Sequence, residues 1–198
     1  MPRDLSADTR AMDSDSLLTN QLLIAMPGME DPNFSSTVTL ICEHNDDGAL
    51  GIIINRPLSL KLSGLFDQLS VEDVNPIAAN NPVMSGGPIG TERGFVLHDK
   101  THSFENTLSV SDDIQLTLSR DVIDAMATGA GPQKSLIAIG YAGWDSGQLE
   151  EEMLANCWLN VTATPELVFN TPFADRWDSA ARLLGVDLAS ISPEAGHA

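Results

Sequence analysis

The chain has 198 residues, 42% of them hydrophobic, which is enough apolar material for a sizeable core and too much for a disordered polymer. Asp and Glu number 28 against 10 Lys and Arg, a formal net charge of −18. A field of that sign repels phosphate backbones and anionic membrane surfaces, and the scattered basic residues form no run that could line a groove, so non-specific nucleic-acid binding is disfavoured.

Residues 1–16, MPRDLSADTRAMDSDS, are polar and acidic, lack the apolar core of a secretory signal, and read as a mobile tail. No stretch approaches the 18 apolar residues of a membrane span, so the expected location is cytoplasmic. Cys42 and Cys157 then read as reduced thiols. Residues 17–198 read as a single domain without repeats or linkers.

Order is expected from Thr19. The run TNQLLIAM is a buried strand ended by Pro27-Gly28. STVTLICEH alternates, with Val38, Leu40, Cys42 and His44 on one face and Thr39, Ile41 and Glu43 on the other. The turn residues Asn45-Asp46-Asp47-Gly48 and the apolar ALGIIIN complete a hairpin with a loop of about four residues, closed by Pro57. Leu62, Leu65, Phe66 and Leu69 repeat at helical spacing. NPVMSGGPIG and RGFVLH predict short strands about the Gly86-Gly87-Pro88 corner, and NTLSV predicts another. Leu118, Val122 and Met126 place a helix that ends near Gly129. KSLIAIGYA (134–142) is the clearest buried strand, running into a turn and a helix of about two turns through Ala155. CWLNVTAT and ELVFN read as two more strands separated by Pro165. The last helix has Thr171 as N-cap, Pro172 at its first position, a stripe of Phe173, Trp177, Ala181 and Leu184, and Gly185 as its stop. Together these elements predict an α/β (α+β) domain with a mixed, largely antiparallel sheet flanked by helices.

Two glycine-rich segments are the candidate ligand-binding places. In the first, Gly140 to Glu152, glycines bracket Trp144, and Asp145 precedes Gln148 by three residues, a capping-box spacing with Asp as the cap. Glu150, Glu151 and Glu152 suit the positive end of the helix dipole. Such a strand-to-helix junction presents Trp144, Asp145 and Gln148 to a ligand; equally, it serves as a tight turn with a core-filling indole. The second, SGGPIG, contributes Gly86, Gly87 and Pro88, but it lacks the lysine and spacing of a phosphate loop and reads chiefly as a structural corner. His98 and His102 sit in a loop, and Cys42 and His44 two apart on a strand need not touch. No CxxC appears and no HxxxH lies on a firm helix, so no metal, cofactor or catalytic set is assigned.

Read in order, TNQLLIAMPGMEDPNFSSTVTLICEH, GALGIIINRP, the SGGPI corner with RGFVLH, IAIGYAGWDSGQLEEE with NCWLNV, Arg176-Trp177, LLGVD and the closing GHA resemble the AlgH/YqgE family of bacterial proteins. The resemblance spans 19–198. It implies a single cytoplasmic α/β domain without an established enzymatic activity, some members of which are named as transcriptional regulators. The expected role is therefore a non-enzymatic regulator that binds a small molecule or a protein, as a monomer or homodimer, and acts indirectly on transcription. A hydrolase using Asp145 or one of Glu43 and His44 is a competing reading. Direct DNA binding is a third, opposed by the charge and by the lack of a helix-turn-helix pattern.

Overall fold

The computed structural model describes residues 18–191; the expected tail at 1–16 and the closing Gly196-His197-Ala198 lie outside the described residues. Ten strands form one curled sheet. They are β1 (Gln21–Ala25), β2 (Val38–Asn45), β3 (Gly48–Ile53), β4 (Pro57–Lys61), β5 (Pro82–Ser85), β6 (Ile89–His98), β7 (Thr107–Ser109), β8 (Gln115–Thr117), β9 (Ser135–Asp145) and β10 (Trp158–Thr162). The order is β10-β1-β2-β3-β9-β6-β8-β7, with β5 also against β9 and β4 against β5. Only β5 and β9 run parallel, so the expected mixed, largely antiparallel α+β architecture is the one observed.

The long strand β9 joins the two halves. On one edge it pairs with β6. On the other it pairs first with β5 through Ile137, Ala138 and Ile139, then with β3 through Ala142 to Asp145. The change of partner falls at Gly140, whose φ of +77° is a left-handed conformation inside a strand.

Apolar residues fill three regions. Leu22, Leu40, Ile52, Phe95, Leu97 and Ala138 share the interior of the curl, which is capped by a π-helical turn (Glu166–Asn170) and helix α5 (Arg176–Leu183). Helices α1 (Leu62–Gln68) and α3 (Arg120–Thr128) cover the outside of one half through Phe66, Val122 and Met126, with the short α2 (Pro76–Ala79) beside them. Helix α4 (Gln148–Leu154) covers the other half, over Leu23, Ile41, Trp144 and Trp158. With both faces covered, β1 and β2 bury nearly continuous apolar runs.

Several expectations are corrected. The hairpin loop has two residues, because Asn45 pairs with Gly48. A bulge at Cys42 breaks the alternation of β2, so His44, paired with Ala49, joins the α4 side and not the side of Cys42. Pro57 opens β4 instead of closing a hairpin, its missing N–H being harmless at the first residue of a strand. ELVFN is a π-helical turn despite its strand-like composition: Thr164 Oγ1 accepts from Leu167 N–H, and Pro165 sits in helical geometry. A 3-10 turn at Phe173–Asp175 precedes α5 and shifts the phase of its buried stripe. Arg176, Ala180 and Ala181 are therefore buried, while Phe173 and Leu184 are exposed. Gly185, at φ +72°, follows the helix end as expected.

Candidate functional site

The glycine corner is a joint in the sheet. Gly86 donates to Ile139 O at 2.9 Å and accepts from Ile53 N–H at 2.8 Å, so it ties β9 to β3 beyond the stretch over which they pair directly. A Cβ on Gly86 would lie 2.3 Å from Gly140 O, and one on Gly87 2.1 Å from the Tyr141 carbonyl carbon. Gly86 and Gly87 are buried, and Pro88 is exposed beside them. Close backbone approach accounts for both glycines.

At the other candidate, β9 runs on to Asp145, so Trp144 belongs to a strand and not to a turn. The turn is Ser146-Gly147, with Gly147 at φ +76° as the N-cap of α4. Half of the capping box forms: Gln148 Oε1 accepts from Asp145 N–H at 3.0 Å, while the exposed Asp145 carboxylate makes no cap bond. The acids of α4 have particular partners. Glu152 Oε2 accepts from both indoles, Trp144 Nε1 and Trp158 Nε1, each at 2.9 Å, and Glu152 Oε1 accepts from Gln148 Nε2 at 3.1 Å. Phe34 closes the cluster, with centroids 5.9 Å from Trp144 and 5.5 Å from Trp158. His44 Nε2 donates to Glu150 Oε1 at 2.7 Å.

Cys42 is buried, and burial together with the neighbouring Glu43 charge pushes its thiol far above the ordinary range. Its Sγ donates to Leu40 O and His44 turns to Glu150, so the two do not form a nucleophile and base. Among the described residues, no three of His, Cys, Asp and Glu converge as a metal site.

His98 is fully buried, with Nδ1–H donating to Asp99 O at 2.5 Å and Nε2 accepting from Thr117 Oγ1 at 2.7 Å. Burial lowers its pKa below the usual 6.5, only partly opposed by the Asp99 carbonyl and charge. The unfolded chain therefore takes up a proton at a higher pH than the folded one. Stability from this group is complete above about pH 6.5 and falls as the pH drops through that value toward the folded-state pKa. Urea midpoints from pH 7.5 to 5 should fall for the wild type and fall less for His98→Gln; parallel profiles would refute this role.

Concave surface lies elsewhere. A cavity of about 250 Å³ is walled by Asn75, Ile77, Gly129 and Gln133, and an adjoining one of about 170 Å³ by Met84, Ile137, Phe169, Phe173 and Arg176. Asn81, Met126 and Ser135 border both, making one cleft from the α2–α3 pair to α5. Arg176 is 5% exposed. Its Nε donates to Thr171 O at 2.9 Å and its Nη1 to Ile54 O. Among the described residues no carboxylate pairs with it. Burial lowers its pKa from 12.5 to about 10, which still leaves a cation at neutral pH. The sequence reading placed Arg176 only among scattered bases and within a family resemblance; a lone Arg carries no signal of its burial.

The AlgH-like family pattern matches residues 22–189. A UPF0301 protein from Ralstonia nicotianae is 53% identical over 182 residues, covering 91% of this chain and 95% of its own. The chain belongs to the AlgH-like family. Another UPF0301 relative, from Nitrosococcus oceani, is 52% identical over 179 residues, 90% of this chain and 96% of that one. The solution structure of the AlgH protein from Pseudomonas aeruginosa is 42% identical, with a TM-score of 0.76 over 100% of both chains. A crystal structure of a Corynebacterium diphtheriae protein, at 19% identity, TM-score 0.69 and coverage of 89% and 97%, shares the fold. The sheet joint at Gly86, Gly87 and Gly140 and the cleft beside Arg176 are thus features of this AlgH-like chain to be explained by binding or by architecture.

Proposed function

We propose that this AlgH-like protein is a non-enzymatic regulator, cytoplasmic, that works by binding a small molecule in the cleft between the α2–α3 pair and α5. The supporting observation is the cleft itself, polar at its larger end through Asn75, Asn81 and Gln133 and chiefly apolar at its smaller end, where a buried guanidinium lies. The smaller end has the make-up of a ligand site, in which apolar walls supply affinity and sparse polar groups fix orientation. Any effect on transcription is then indirect, since a chain of net charge −18 repels the DNA backbone.

Amide NMR spectra during titration with a fragment library test this. Saturable shifts are expected at residues around the cleft, such as Asn81, Gly129 and Ser135. Shifts gathered at Gly86 to Pro88 or at Trp144 to Gln148 would move the site there, and an absence of saturable shifts would remove the reading. Gel-shift titration with duplex DNA at low salt, where electrostatic binding is strongest, should show no complex; a tight, salt-sensitive one would restore direct DNA binding.

A further inference from the structure

Arg176 is a largely buried cation with no counter-charge among the described residues. Its two hydrogen bonds to Thr171 O and Ile54 O use two of the five guanidinium N–H groups, leaving three, both on Nη2 among them, without an acceptor among the described residues. A cation so placed favours an anionic partner. The 170 Å³ cavity that Arg176 walls is otherwise mostly apolar, through Met84, Ile137, Phe169 and Phe173, with the Ser135 hydroxyl and Asn81 amide at its border with the larger cavity.

We infer that this cavity binds a small monocarboxylic acid with an aromatic or branched-aliphatic body, its carboxylate on Arg176 and its body against Phe169, Phe173 and the methionines. This rests on the cleft being a ligand site and adds the class of ligand. Three arguments select it. A planar guanidinium matches a carboxylate with two parallel hydrogen bonds. One cation neutralises one negative charge, so a phosphate dianion would leave an uncompensated charge in an apolar site, within a chain already at −18. As to size, a cavity of about 150 Å³ holds benzene, so about 170 Å³ suits a body of that bulk, the carboxylate reaching Arg176.

Calorimetry on the full chain with benzoate, isovalerate, benzamide and inorganic phosphate tests the inference. Benzoate and isovalerate should saturate, and benzamide and phosphate should bind about tenfold more weakly or worse, the difference expected when a hydrogen bond to a charged group is lost. Arg176→Lys should weaken benzoate about tenfold while leaving benzamide alone. Because Arg176 also tethers Ile54 and Thr171, that variant can fail to fold, so a second pair decides independently. Phe173 is 37% exposed, so polar substitution there is expected to leave the fold intact. Phe173→Asp should lower benzoate affinity about tenfold beyond the isosteric, uncharged Phe173→Asn, with equal affinity of the two for benzamide. Benzamide binding as tightly as benzoate overturns the inference while the cleft remains a ligand site. No saturable binding of either carboxylate overturns the inference too, and only the failure of the whole fragment library removes the underlying reading.

Discussion

Gly140→Ala is expected to destabilise the protein by about 2–5 kcal/mol, while Gly147→Ala, at nearly the same backbone angle, costs about 1–2 kcal/mol. The two glycines have φ +77° and +76°, so the strain of forcing an L residue into the left-handed region is common to both. They differ in what an added methyl meets. At Gly147 nothing lies within 4 Å, whereas at Gly140 the Cβ would sit 2.5 Å from Gly87 O and 3.1 Å from Ile89 O. Both neighbours are backbone atoms, one in the β5–β6 connection that ties β9 to β3 and one in the first residue of β6. Relief therefore requires separating two halves of one sheet, not turning a side chain. With domains stable by only about 5–15 kcal/mol, the Gly140 variant should unfold at much lower urea while keeping its m-value. Equal urea midpoints for the two variants would show that the joint yields and that backbone angle alone sets the cost.

The parts of this fold legible in the sequence are those where local pattern and tertiary fate agree. Leu22 to Ala25, the β2–β3 hairpin and the apolar start of β9 are strands bounded by turn residues, and the α3 stripe of Val122 and Met126 ends at a left-handed Gly129. The failures have identifiable causes. Thr164-Pro165-Glu166 is a helix-start pattern that the Val and Phe of ELVFN mask. The bulge at Cys42 and the passage of β9 through Gly140 depend on neighbouring strands distant in sequence, so no local pattern announces them. Gly86 and Gly140 read as turn residues in the sequence because glycine signals a turn and a close backbone approach by the same letter. The candidate site fared worse, since a cavity is a property of packing. Arg176 acquires its burial from a 3-10 turn that rotates α5, and its solitude from acids placed elsewhere by the fold.

Glu152→Ala should be among the most damaging single changes on the surface of the molecule, at about 2–5 kcal/mol. Glu150 and Glu151 lie in the first turn of α4 and Glu152 just beyond it, so a helix-dipole argument gives each at most about 0.3–1 kcal/mol and Glu152 the least. The contacts rank them otherwise. Glu152 Oε2 is the acceptor for both Trp144 and Trp158, which are 5% and 4% exposed. Alanine would leave two buried indole N–H groups without partners, each costing about 1–3 kcal/mol, and its better helix propensity recovers only tenths. Glu151 is exposed and has no side-chain hydrogen bond among the described residues, so Glu151→Ala should stay within about 0.5 kcal/mol of the wild type. Glu152→Gln should fall between, because its amide oxygen still accepts but without charge assistance. Urea unfolding followed by tryptophan fluorescence reads both stability and the local environment, and the folded Glu152→Ala baseline should shift to the red as water reaches the indoles. If Glu152→Ala and Glu151→Ala unfold together, the dipole description suffices and the shared carboxylate between the two indoles contributes nothing of its own.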